Sequence, residues 1–156
     1  MYRILFYSFL FFAIDQFSKW LVVFYLQLGT KLKIDLNNQF LNFHMAWNKG
    51  INFGLFESES LTQVYFLFLI SVLISLALFL WVRKTKNFAI QLSSALVIGG
   101  AVGNAIDRLL YGSVADFINL TCCGVKNPFS FNLADVFIFI GIIGLIYFRF
   151  DEDIDY

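Results

Sequence analysis

Gly99-Gly100-Ala101-Val102-Gly103-Asn104-Ala105-Ile106-Asp107-Arg108 closes an apolar run that begins near Phe88. From Phe88 to Leu110 the run is long enough to cross a membrane, for which about 20 mostly apolar residues suffice as a helix. Gly99 and Gly103 make a small-xxx-small step, which lets a neighbouring helix approach closely. Asn104, Asp107 and Arg108 stand three and four residues apart, so they share one helical face. An ionisable group inside a membrane costs roughly 3 kcal/mol or more, which makes each one a candidate for function. The competing reading of Asp107 and Arg108 is a structural clamp that hydrogen-bonds the loops beyond the helix.

Three further windows of similar length flank this one. They run roughly 4–26, 61–82 and 131–150. Asp15 and Lys19 interrupt the first, the second carries no charge, and Asn132 and Asp135 stand near the start of the fourth. The expected fold is a mainly α membrane protein with four transmembrane helices, in one domain spanning residues 1–156. Composition agrees. The chain is 60% hydrophobic, with 21 Phe among its 156 residues, against roughly 45–50% apolar for a soluble domain. Mean hydropathy is +0.75. Eleven basic and eleven acidic residues leave no net charge, which argues against a nucleic-acid surface. Arg3 before an apolar run has the outline of a secretory signal peptide. No small-residue cleavage site follows it, however, and Asp15 and Lys19 break the apolar core, so the segment is expected to be a retained span.

Arg83, Lys84 and Lys86 crowd the short link between the second and third windows and place it in the cytoplasm. Both termini then fall on the cytoplasmic side, and Gln27–Ser60 and Tyr111–Ser130 lie outside. Lys31, Lys33 and Lys49 run against the rule, diluted by Asp35, Glu57 and Glu59. In the outer segments Leu41, Phe43, Met45 and Trp47 alternate with Asn42, His44, Ala46 and Asn48, which reads as a half-buried strand. Leu32, Ile34 and Leu36 form a second candidate, and Val114, Asp116, Ile118 and Leu120 a third.

Asp15 and Lys19 are spaced to pair along a helix. They serve either as an ion pair orienting the first span or as support for a site. Asp116 and Asp135 fall at the same membrane face by this topology. Two carboxylates at an apolar boundary are the parts of an acid–base hydrolase: repulsion raises one pKa, the pair shares a proton, the ionised member activates water and the protonated member polarises a carbonyl. Taken singly, Asp135 also reads as a carboxylate favoured by a helix N-terminus, and Asp116 as a turn residue. His44 is the only histidine, on the polar face of a strand. Adjacent Cys122 and Cys123 with one distant His lack a metal-ligand pattern, so no metal and no cofactor are expected. A small transporter would spread polar groups through its spans, whereas here they gather at one end.

The blocks Asp15-Gln16-Phe17-Ser18-Lys19, Asn48-Lys49-Gly50 with Phe53, Gly99 to Arg108, Gly112-Ser113-Val114-Ala115-Asp116-Phe117 and Phe131-Asn132-Leu133-Ala134-Asp135, in this order, resemble the bacterial lipoprotein signal peptidases, also called signal peptidase II. The resemblance spans nearly the whole chain. It implies four spanning helices with an extracytoplasmic β-cradle and a short amphipathic helix. It also implies an aspartyl endopeptidase of the cytoplasmic membrane, with Asp116 and Asp135 as the dyad. Asp15, Lys19, Asn48, Gly50, Asn104, Asp107, Arg108 and Asn132 would line or brace the site. The implied substrates are diacylglyceryl-modified prolipoproteins, cut just before the lipidated cysteine. The remaining implied partners are membrane lipids and the inhibitor globomycin, and the chain is expected to be a monomer. Two features depart from the family pattern: Ile51-Asn52 where small residues are usual, and the Cys122-Cys123 pair.

Overall fold

The computed structural model describes residues 1–36, 40–50, 60–121 and 127–154, with side chains described as far as Phe148. Ile51, Asn52, Phe53, Cys122 and Cys123 lie outside the described residues.

Helix α1 (Tyr2–Lys19) runs into a π-helical extension, Trp20–Tyr25. Gln27 ends this segment in the left-handed region, at φ 58°. A single helical turn, α2 (Leu28–Lys31), then leads to strand β1 (Lys33–Ile34). Strand β2 (Leu41–Asn48) precedes the two long helices α3 (Leu61–Val82) and α4 (Phe88–Tyr111). Strand β3 (Val114–Leu120) and helix α5 (Leu133–Ile154) complete the chain.

Helix α4 is the hub, packed against α1, α3 and α5. Its glycines explain how two of them, α1 and α5, come so close. A Cβ on Gly99 would stand 2.6 Å from the backbone oxygen of Ser8 in α1, and one on Gly100 would stand 2.5 Å from that of Ala134 in α5. Two faces of one helix therefore admit two neighbours at backbone contact. The outer surfaces are the reverse of a soluble protein's. Phe6, Phe9 and Phe17 on α1, Phe66 and Leu73 on α3, and Phe139 and Ile143 on α5 are all exposed, while Asp15, Lys19, Asp107 and Arg108 are buried. That inversion suits lipid as the solvent.

Among the described residues three helices are long and apolar enough to cross a membrane: Tyr2–Tyr25, Leu61–Val82 and Phe88–Tyr111. The described apolar stretch of α5, Leu133–Phe148, is shorter. At 1.5 Å per residue it measures roughly 24 Å, against a hydrocarbon core of about 30 Å. Among the described residues, three of the four expected spans therefore meet that length.

At one end of the bundle the strands form an antiparallel sheet in the order β1-β2-β3. Strand β2 pairs along β3, with Ala46 opposite Asp116 and Asn48 opposite Val114. A bulge lies between Phe43 and Ala46. Phe43 and Met45 join a core with Val22, Val23, Leu28, Ala115 and Phe117, in which the sheet sits on the π-helical extension. Trp47, expected on the same buried face, remains exposed. The strand expected over Leu32, Ile34 and Leu36 shrinks to two residues, because Leu32 adopts a left-handed conformation at φ 61°. Asp116 is a strand residue rather than a turn residue.

Candidate active site

Three connections bring distant carboxylates to one place. The first is a turn. Helix α4 ends at Gly112, whose φ of +71° suits glycine and whose N–H donates to the Arg108 carbonyl. Strand β3 starts two residues later. The second is a bridge. Ile118 N–H donates to the Phe131 carbonyl at 2.8 Å, and Phe131 N–H returns to Ile118 at 3.0 Å. The start of α5 is thereby pinned to the strand that carries Asp116. The third is a reciprocal cap. Asp135 N–H donates to Asn132 Oδ1 at 3.0 Å, and Asn132 N–H donates to Asp135 Oδ2 at 3.2 Å. This is an Asn/Asp form of the capping box, and it holds Asp135 in the first turn of α5.

Asn132 then spans the pair. Its Nδ2 donates to Asp116 Oδ1 at 2.6 Å and to Asn104 Oδ1 at 3.2 Å. Asn48 Nδ2, diagonal to Asp116 across β2 and β3, donates to the other oxygen, Asp116 Oδ2, at 3.0 Å. Asn104 Nδ2 donates to Asp135 Oδ1 at 3.0 Å. Asp116 is 3% exposed, and Asp135 is half-buried. Burial away from water, reinforced by the nearby charge of Asp135, pushes the Asp116 carboxyl up to about 7. The amides of Asn48 and Asn132 pull the other way without cancelling that rise.

Behind this pair lies a second, differently built cluster. Lys19 Nζ contacts Asp15 Oδ2 at 2.7 Å, Asp107 Oδ2 at 2.8 Å and Asn104 Oδ1 at 3.0 Å, which occupies all three of its protons. Asp15 Oδ1 accepts from the backbone N–H of Ala134 at 3.0 Å, tying α1 to the first turn of α5. A Cβ on Gly103 would lie 2.5 Å from Asp15 Oδ2, so glycine there leaves room for the carboxylate between the helices. Arg108 reaches outward: Nη2 donates to the Gly50 carbonyl at 2.9 Å, and Nη1 to the Asn104 carbonyl at 3.1 Å. Gly50 N–H in turn donates to Asn48 Oδ1 at 3.0 Å. Arg108 and Asp107 therefore act as clamps on the segments beyond α4, and Asp107 also accepts from Ala115 N–H at 3.4 Å.

Asp116, Asp135 and the eight residues expected to support them belong to this one assembly. Asn48, Asn104, Asn132, Asp116 and Asp135 form its front. Asp15, Lys19 and Asp107 form its rear, and Arg108 with Gly50 forms one side. Sequence reading overlooked Gln16. Its Nε2 donates to Asp107 Oδ1 at 3.0 Å, Asp15 Oδ2 at 3.2 Å and the Gly103 carbonyl at 3.3 Å. A polar residue beside Asp15 in an otherwise apolar span was the available signal. Among the described residues no group of three or more His, Cys, Asp or Glu side chains is placed to hold a metal ion.

Residues 7–150 match the family described as Signal peptidase (SPase) II. The chain belongs to that family. It is 36% identical over 137 residues to the lipoprotein signal peptidase of Methylorubrum extorquens (strain PA1), covering 86% of this chain and 77% of that one. It is 38% identical over 146 residues to the lipoprotein signal peptidase of Coxiella burnetii (strain RSA 331 / Henzerling II), covering 91% and 86%. A bacterial membrane enzyme solved in meso at 2.3 Å resolution shares the fold with a TM-score of 0.77 at 27% identity, covering 96% of this chain and 88% of that one. A second such enzyme, solved at 1.9 Å, gives 0.75 at 29% identity, covering 92% and 90%. Membership in the signal peptidase II family makes this chain a membrane peptidase.

Proposed function

We propose that the chain is an aspartyl endopeptidase that removes signal peptides from diacylglyceryl-modified prolipoproteins, cutting on the N-terminal side of the lipidated cysteine. The observation that carries this reading is the Asn132 side chain and backbone holding Asp116 and Asp135 together at the sheet-bearing end of the bundle. The enzyme sits as a monomer and a single domain in the bacterial cytoplasmic membrane, with both termini in the cytoplasm and the dyad near the outer face. Helix α5, carried on by its end beyond Phe148, serves as the fourth span.

The dyad carries one proton between its two carboxyls near neutral pH, a property of the pair. The ionised member takes a proton from a water molecule as that water attacks the scissile carbonyl carbon. The protonated member donates its proton to the carbonyl oxygen. As the tetrahedral intermediate collapses, the carboxylate takes a proton back from a hydroxyl of the intermediate, the C–N bond breaks and the other carboxyl gives its proton to the leaving amine, which restores the singly protonated pair. Asn48, Asn104 and Asn132 hold the carboxylates by neutral donors. Arg108 and Gly50 anchor the segment that follows Asn48. Asp15, Lys19 and Asp107 position α1, α4 and α5.

Asp116→Asn and Asp135→Asn are expected to lower the rate of cleavage by about 10³-fold or more, within the span of acid–base contributions. The measurement is a gel shift of a diacylglyceryl prolipoprotein incubated with purified enzyme, with globomycin as the inhibitor control. Normal-rate processing by either variant would remove that aspartate from the dyad.

A further inference from the structure

A cavity lies behind the dyad strand. It measures about 280 Å³, with Trp20, Phe24, Trp47 and Tyr111 around it and Lys19 and Asp107 at its buried end. Ala115 also lines it. Side chains alternate along a strand, so this cavity opens on the face of β3 opposite Asp116. It shares Lys19 and Asp107 with the rear of the assembly and is lined by neither Asp116 nor Asp135.

Its walls and its floor differ sharply. Trp20 is 52% exposed and Trp47 39%, whereas Asp107 is 1% exposed. The rings form a continuous set: Trp47 lies 5.7 Å from Tyr111, and Tyr111 lies 6.2 Å from Phe24, centroid to centroid. Aromatic faces attract cations, and most strongly where water is excluded. The floor is polar and carries a carboxyl group. Asp15 and Asp107 share the single ammonium of Lys19. Both oxygens of Asp15 accept hydrogen bonds, from Lys19 and from Ala134 N–H. The bottom of the aromatic cup thus presents the Asp107 carboxyl group, with Asp15 behind it, around one directly bound ammonium.

The surroundings indicate the source of the cation. The cup opens where the first membrane-crossing helix ends, at the level of Trp20 and Tyr25. Trp and Tyr favour the headgroup layer of a bilayer. Below it, Phe17 and Ile14 on α1 are exposed and apolar, a track for acyl chains. The volume suits a headgroup rather than a whole lipid, since pockets that engulf a ligand usually run from about 300 to 1,000 Å³.

We propose that this cup binds the ammonium headgroup of a membrane phospholipid, at a site separate from the dyad. Lys19 also donates to Asn104, and Asn104 donates to Asp135, so the occupied cup touches the same network that positions the dyad.

The test uses purified full-length protein in a neutral detergent, titrated with short-chain phosphatidylethanolamine, phosphatidylcholine or phosphatidylglycerol. Tryptophan fluorescence and the thermal midpoint are both read. The ammonium lipids are expected to shift both signals saturably, while phosphatidylglycerol leaves them unchanged. Tyr111→Leu and Trp47→Leu should weaken the ammonium lipids by about tenfold or more, in line with a desolvated cation–π contact. Tyr111→Phe and Trp47→Phe, which keep a ring, should retain binding; their own thermal midpoints report whether the fold is intact. Equal response to phosphatidylglycerol, or full binding by a folded Tyr111→Leu, would overturn the proposal. Because the readout is binding, its failure leaves the peptidase reading untouched.

Discussion

The two carboxylate clusters of this protein lie side by side and are built on opposite rules. In the rear cluster Asp15 and Asp107 both touch the ammonium of Lys19 at under 3 Å. In the front cluster Asp116 and Asp135 are held by the amides of Asn48, Asn104 and Asn132. A contacting cation favours the charged form of a carboxylate. A neutral amide orients a carboxylate and leaves its proton free to come and go. Both arrangements are costly inside a low-dielectric bundle, and each fits a different task. The rear pairing ties helices together, and the front pairing can exchange a proton during a reaction.

The largest effect should come from breaking the rear. Lys19→Met leaves Asp15 and Asp107 buried against each other without their shared cation. Removing one member of a buried ion pair typically costs about 3–5 kcal/mol. The expected result is a fall in resistance to denaturant of that order, with activity lost in proportion to unfolded protein. Adding Asp107→Asn to Lys19→Met should recover part of the loss, because it removes the stranded repulsion. Urea or SDS titration of the purified variants measures both steps. A Lys19→Met protein as stable as its parent would show that the rear cluster is not a clamp.

Much of this arrangement was legible in the sequence, and the remainder was not, for identifiable reasons. The uncharged run Leu61 to Val82 reads as one helix because nothing along it competes with helix formation. Asn132 and Asp135 are three residues apart, so their reciprocal cap follows from local spacing. Asp15 and Lys19 meet because they are four apart on one helix. The contact of Asp15 with Ala134 spans 119 residues and depends on Gly100 and Gly103 admitting both neighbours to α4. Periodicity carries no record of such a contact. The bulge in β2 and the left-handed Leu32 likewise depend on tertiary pairing, which shortens β1 and leaves Trp47 outside the core. The proximity of Asp116 to Asp135 rests on the bridge between Ile118 and Phe131, another long-range choice.

A pH experiment sharpens the comparison from the front. Asp116 is raised from 3.8 to about 7 in the folded protein. Below pH 3.8 the carboxyl is protonated in both states and costs nothing. As pH rises from there to about 7, the unfolded chain releases its proton while the folded one retains it, so stability falls. At about 1.4 kcal/mol per unit, a rise of roughly three units amounts to about 4 kcal/mol. Thermal midpoints of the parent should therefore decline from pH 5 to pH 8, and those of Asp116→Asn should decline less. Cleavage should lose rate above about pH 7 as the pair gives up its last shared proton. Matching pH profiles for the parent and Asp116→Asn would mean that the folded protein ionises Asp116 like an ordinary surface carboxyl.

The smallest effect tests whether the two clusters are joined or merely adjacent. Gln16 touches only the rear: its amide bonds Asp15, Asp107 and the Gly103 carbonyl and reaches neither dyad carboxylate. Gln16→Leu keeps the volume roughly and removes those donors. The expected cost is about 1.5–3 kcal/mol of stability, the range for hydrogen bonds to charged groups. Cleavage by folded protein should change less than about threefold, because Lys19 still holds Asn104 and Asn104 still holds Asp135. Stability and single-turnover rate measured on the same preparation separate the two outcomes. A rate that drops far more than stability would mean that the rear cluster tunes the dyad through its hydrogen bonds as well as bracing the helices that carry it.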